Sequence, residues 1–194
     1  MMERGEEIRA FIAIELPETV KSFLKKVSSE LKVCGGDVRW TRPEGIHLTL
    51  KFLGSVRNDL LPRIEEAALP LFKEQKPTQL NVFGLGAFPN LRRPRVVWAG
   101  LQESTGVLTP LVERLGDVLE PLGFSKENKP FSPHLTLGRF RSSDRSSDLV
   151  EAIRQKMDVA GPSFVADHAV LFRSILKPSG AEYFKLFRFD YGPS

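Results

Sequence analysis

Two histidines in this chain stand in the same four-residue setting. The tetrapeptide His-Leu-Thr-Leu occurs at residues 47–50, in "GIHLTLKFLG", and again at 134–137, in "FSPHLTLGRF". The chain holds only three histidines. On a strand, residues i and i+2 share a face. His47 and Thr49 therefore project together, as do His134 and Thr136, while the leucines anchor the opposite face. An imidazole gives or takes a proton near neutral pH, and a threonine hydroxyl donates a hydrogen bond to an anion. Two such units across a cleft suit hydrolysis at phosphorus. A neutral imidazole takes a proton from the attacking water, a protonated one delivers a proton to the leaving alkoxide, and the hydroxyls hold the non-bridging oxygens. Acid and base both come from the chain, so no metal and no cofactor is expected.

A lone histidine in an apolar strand reads as a structural residue, and His168 in "VADHAVLF" is read that way. Recurrence in one Leu-Thr-Leu frame separates His47 and His134 from it. Zinc is a rival use for two histidines, but no neighbouring Cys, Asp or Glu completes a recognisable ligand set. "GLGAF" does not match a dinucleotide fingerprint and reads as a strand irregularity. No G-x-x-x-x-G-K-[ST] occurs, which excludes P-loop chemistry. The basic run "RRPR" reads as a solvated turn.

The elements that must position the motifs follow from periodicity. "IRAFIAIEL" reads as a buried strand ending at Pro17. Val20, Phe23, Leu24, Val27 and Leu31 then mark one face of a helix. "IHLTLKFLG" alternates, with Ile46, Leu48, Leu50 and Phe52 on one face and His47, Thr49 and Lys51 on the other. Leu60, Leu61, Ile64, Ala68, Leu71 and Phe72 mark a second helix, followed by strands at "TQLNVFGLGAF" and "PRVVWAGL". Val107, Leu108, Leu111, Leu115, Val118 and Leu122 mark a third helix before the second motif strand. A polar loop at "SSDRSSD" passes into a short helix, capped by Ser or Asp before Leu149. "FVADHAVLFRSIL" and "YFKLFRFDY" close the chain as two strands joined by "KPSG". This order is α+β, with two similar, pseudo-symmetric lobes. Each lobe is an antiparallel sheet with helices on its outer face and one His-Leu-Thr-Leu strand. Residues 1–194 show no long linker and read as one bilobal domain.

The net charge of +4 and pI near 9.3 suit a polyanionic partner such as RNA. A single cysteine, Cys34, leaves no intramolecular disulfide and fits a reducing compartment. "MMERGEEIRA" lacks the apolar core of a secretory signal, and no apolar run approaches the roughly 18 residues of a spanning helix. A soluble, cytoplasmic protein without membrane contact is expected.

The motif pair resembles the two-histidine (2H) phosphoesterase superfamily, marked by two H-x-[TS]-x motifs roughly 80–90 residues apart. Here His47 and His134 are 87 residues apart. "RAFIAIELP", "HLTLKFLG", "RPRVVWAGL", "FSPHLTLGRF" and "SILKPSGAEYFKL" resemble, in order, blocks of its RNA 2′,3′-cyclic phosphodiesterase branch, historically also called 2′-5′ RNA ligase. The resemblance implies a central basic groove and metal-independent opening of a terminal 2′,3′-cyclic phosphate to a 2′-phosphate. Its partners would be RNA 3′ ends or 2′,3′-cyclic nucleotides, and a monomer is expected. By motif position, His47 and His134 are catalytic, Thr49, Thr136 and Arg139 bind phosphate, and Phe52 stacks on a terminal base. A 2′-5′ phosphodiesterase or ligase is the alternative within the fold, and a non-catalytic nucleotide or RNA binder the alternative outside it.

Strict alternation puts Phe52 and Arg139, each five residues after its histidine, on the wrong face. They reach the groove only if each strand bulges or ends before them, and only the second motif offers an obvious point of flexibility, Gly138. Arg139 beside the second motif favours an uncharged His134 by like-charge repulsion. His134 is therefore expected as the base and His47 as the acid, with both limbs of the pH profile around roughly 6.5.

Overall fold

Every residue from Ala10 to Ile14 is buried, on both faces of the strand they form. Such a strand belongs inside a sheet covered on both sides. The structure, a computed structural model, describes residues 6–142, 146–178 and 180–193. Residues 1–5, the polar stretch 143–145, Ser179 of the expected "KPSG" turn and Ser194 lie outside the described residues. In chain order the elements are β1 (Glu7–Ile14), α1 (Glu18–Lys32), β2 (Val38–Trp40), β3 (Leu48–Arg57), α2 (Leu61–Lys73), β4 (Thr78–Phe88), β5 (Val96–Glu103), α3 (Leu108–Leu119), β6 (His134–Phe140), α4 (Ser147–Arg154), β7 (Ala160–Ala166), β8 (His168–Lys177) and β9 (Gly180–Asp190).

The strands lie in the order β7-β4-β5-β6-β3-β1-β8-β9, with β2 added to β6, and every pairing is antiparallel. From the centre outward the two halves read alike. The motif strands β3 and β6 are innermost, β1 and β5 come next, then β8 and β4, with β9 and β7 outside. The α+β class and the paired halves agree with the sequence. One detail differs: the two sheets are not separate. β3 and β6 meet at a single register pair, Leu48 with Leu135, which joins them into one nine-stranded sheet.

The helices cover one face and close the main core. α1 buries Val20, Leu24, Val27 and Leu31, the stripe its periodicity marks, each such burial contributing about 1.5–3 kcal/mol. α3 starts where the Glu103 carboxylate accepts the backbone N–H groups of Val107 and Leu108, at 3.1 and 2.8 Å. That cap comes from a strand and satisfies two otherwise orphaned donors. Ser146 takes the N-cap position of α4 without a side-chain cap bond. A smaller cluster, Phe11, Ala13, Val170 and Phe172 with Tyr183 against it, packs apart from the main core.

The expected single strand "FVADHAVLFRSIL" is two. β7 ends at Ala166 and pairs with β4, while β8 begins at His168 and pairs with β1. The chain passes from one half to the other at Asp167. Apolar residues on both sides of that point hide the break from periodicity. β2 is a further strand that the sequence reading did not contain; three residues are too few to show alternation.

Candidate active site

The pairing of Leu48 with Leu135 brings the two motifs side by side. Both leucines are buried, at 1% and 0% exposure, and face the helices. Extending that antiparallel register by one residue in either direction sets His47 beside Thr136 and His134 beside Thr49. All four then stand on the face opposite the two leucines. Each imidazole is oriented in the same way. His47 Nδ1 lies 2.9 Å from the Gly45 carbonyl oxygen, and His134 Nδ1 lies 2.7 Å from that of Ser132. A carbonyl only accepts, so Nδ1 carries the hydrogen and Nε2 is the nitrogen free for proton transfer.

Both strands bulge, at the same point. Across from β1, Ala13 pairs with Thr49 and Ile12 with Lys51, leaving Leu50 as the extra residue. Across from β5, Trp98 pairs with Thr136 and Val97 with Gly138, leaving Leu137 extra. Each extra leucine is the third residue after its histidine and stays buried. The next residue, Lys51 or Gly138, is buried too, and the one after that turns to the histidine face. Phe52 is accordingly 61% exposed and pairs with Phe11. Its ring centroid lies 6.2 Å from that of Phe11, which stacks on His47 at 4.6 Å. Arg139 is exposed, opposite Val96 on β5 and Arg39 on β2. The alternation that put Lys51 with His47 and Phe52 with the core is thus reversed beyond the bulge. Lys51 is 3% exposed and donates to the Ser125 carbonyl at 2.5 Å, with Glu127 3.9 Å away. Gly138 serves close approach and not flexibility: a Cβ there would come within 2.6 Å of Val38 Cγ1 on β2.

The surroundings of the two imidazoles differ. His47 lies against Phe11, with Tyr183 edge-on at 5.1 Å and Phe172 at 6.3 Å. This burial pushes its pKa down to about 4, and the Gly45 hydrogen bond only partly opposes it. His134 has Phe88 edge-on at 4.9 Å, and Phe88 in turn leans on Trp98. His47, expected from the sequence as the proton donor, is therefore an imidazole held uncharged at neutral pH. His168, read from the sequence as structural, has Nδ1 2.5 Å from Asp167 and Nε2 3.4 Å from Glu15. The "RRPR" turn is exposed at Arg92, Arg93 and Arg95, and "GLGAF" carries a register shift between Val82 and Leu85.

A family model described as LigT like phosphoesterase matches residues 14–98 and 100–183. The chain belongs to this family. The two matched segments each contain one motif. A LigT-like chain from Archaeoglobus fulgidus, named RNA 2′,3′-cyclic phosphodiesterase, is 36% identical over 177 residues, covering 91% of this chain and 96% of that one. One of the same name from Methanothermobacter thermautotrophicus is 33% identical, covering 91% and 95%. A crystal structure from Thermus thermophilus superposes with a TM-score of 0.80 at 28% identity, covering 94% of this chain and 97% of that chain. Membership makes this LigT-like protein a phosphodiester hydrolase by class. Sequence reasoning missed the rings that frame its motifs, Phe11, Phe172, Tyr183, Phe88 and Trp98. All come from other strands, and only strand order and register bring them to the site. Among the described residues no helix is long and apolar enough to cross a membrane.

Proposed function

We propose that this protein opens the 2′,3′-cyclic phosphate at an RNA 3′ end, or in a cyclic nucleotide, to a 2′-phosphate. The observation that carries this reading is the matched pair of Nδ1-anchored imidazoles, in two motifs that the Leu48–Leu135 pair sets side by side. In the reaction, His47 Nε2 takes a proton from a water in line with the P–O3′ bond. The water oxygen bonds to phosphorus, the P–O3′ bond breaks, and His134 Nε2–H protonates O3′. Thr49 and Thr136 donate to the non-bridging oxygens as charge builds there. Arg139 holds the phosphate, and Phe52, exposed beside Phe11, stacks on the terminal base, a contact worth about 1–3 kcal/mol. This ordering reverses the one drawn from Arg139, because burial around His47 supports a neutral imidazole there.

Incubation with a 2′,3′-cyclic mononucleotide in the presence of EDTA tests the reading. Turnover to the 2′-phosphate is expected to survive the chelator. Loss of turnover that zinc or magnesium restores would move the chemistry to metal-assisted hydrolysis, and binding without turnover would make the protein a nucleotide-binding module. Arg139→Ala is expected to raise KM for an oligonucleotide with a cyclic end roughly tenfold, as loss of a charge-assisted hydrogen bond does. The slope of log affinity against log salt should also become shallower by about 1. An unchanged KM places Arg139 outside the site.

A further inference from the structure

Three rings from three strands meet at His47, and one carries a hydroxyl. Tyr183 stands edge-on to His47, with centroids 5.1 Å apart and planes at 87°, and edge-on to Phe11 at 5.1 Å and 79°. It reaches them from β9, the outermost strand of its half, where it pairs with Ser174. The ring also lies over Gly45, where a Cβ would come within 3.3 Å of Tyr183 Cε2. The Gly45 carbonyl is the acceptor that orients His47. Tyr183 therefore packs against both the imidazole and the peptide that aims it. Among the described residues the hydroxyl has no hydrogen-bond partner. Arg9 and Tyr183 both pair with Ser174, from β1 and β9, so they share one cross-strand row, and the charges of Arg139 and Arg9 pull the phenol pKa down against burial. On its other side, with His47, Tyr183 borders a separate pocket of about 160 Å³ that Glu15, Glu44, Lys21 and Lys185 also line and Arg139 does not.

A half-buried phenol with no partner among the described residues thus stands edge-on to His47, in one cross-strand row with Arg9. We propose that Tyr183 is a further substrate contact: its hydroxyl donates to a phosphate oxygen held between His47 and Arg139, and its ring restrains the His47 plane. This rests on the phosphodiesterase reading above. Burial raises the phenol pKa and outweighs the two arginines, so the hydroxyl keeps its proton at neutral pH.

Tyr183→Phe removes the donor and keeps the ring. Binding of inorganic phosphate, followed by calorimetry, should weaken roughly tenfold. KM for a 2′,3′-cyclic mononucleotide should rise by a similar factor, with kcat and melting temperature little changed. Tyr183→Leu removes the ring as well, and should lower kcat in addition because His47 loses its lateral support. Tyr183→Phe with wild-type phosphate affinity and KM overturns the proposal. Wild-type protein that binds phosphate more tightly than Tyr183→Phe, yet turns over no cyclic nucleotide, overturns the phosphodiesterase reading and leaves the Tyr183 contact standing.

Discussion

His47→Ala and His134→Ala are each expected to lower kcat/KM by at least about 10²-fold, since a positioned acid or base typically contributes 10²–10⁴. Their responses to the leaving group should differ. A nitrophenyl phosphodiester releases an anion that needs no proton, so it bypasses the acid and leaves the demand for a base. Rate on that substrate should recover in His134→Ala and remain low in His47→Ala. Recovery in His47→Ala instead restores the order in which His134 is the base; full activity of either variant on the cyclic nucleotide removes that histidine from the mechanism. The pH profile provides a second readout. The acid limb of kcat/KM reports the base of the free enzyme. With His47 in that role, the limb lies near its depressed value of about 4 and not at the 6.5 of an ordinary imidazole. An acid limb at about 6.5 in the wild type contradicts the assignment.

How much of this site the sequence shows depends on where each constraint originates. His47, Thr49, His134 and Thr136 are legible because alternation and repetition are local. The α1 stripe is legible for the same reason, since a 3.6-residue period needs no knowledge of its partner. Phe52 is not legible from alternation. Its face is decided by the bulge at Leu50, and that bulge leaves Lys51 on the buried side. A buried ammonium requires acceptors, and these come from Ser125 and Glu127, more than 70 residues along the chain. The resemblance pointed to Phe52 and Arg139 without a geometric reason; the shared bulge turns both to the exposed side of their strands. The break at Asp167 and the ring of Tyr183 are hidden for the same cause, because strand order brings them into place. The sequence reading ordered acid and base from Arg139, near its histidine in the chain; the proposed order rests instead on the rings that desolvate His47, which arrive from β1, β8 and β9.

Those rings also predict how stability depends on pH. His47 titrates at about 6.5 in the unfolded chain and at about 4 in the folded one. Between these values the unfolded state binds more protons, so folding stability falls as pH falls. The contribution is complete above about 6.5, declines through the window, and levels off below about 4. At about 1.4 kcal/mol per unit, the whole shift corresponds to about 3.5 kcal/mol, of which about 3 kcal/mol is lost by pH 4. Glu15, whose pKa is also depressed in the fold, adds its own pH dependence, so the comparison must be with a variant that lacks only the imidazole. His47→Gln keeps a polar side chain without a titrating ring. Urea unfolding of both proteins at pH 7.5 and pH 4 is expected to show the wild type losing about 3 kcal/mol more than the variant over that interval. Equal losses would mean that the folded protein accommodates a charged His47. The neutral imidazole would then lose its physical basis, and with it the assignment of His47 as the base.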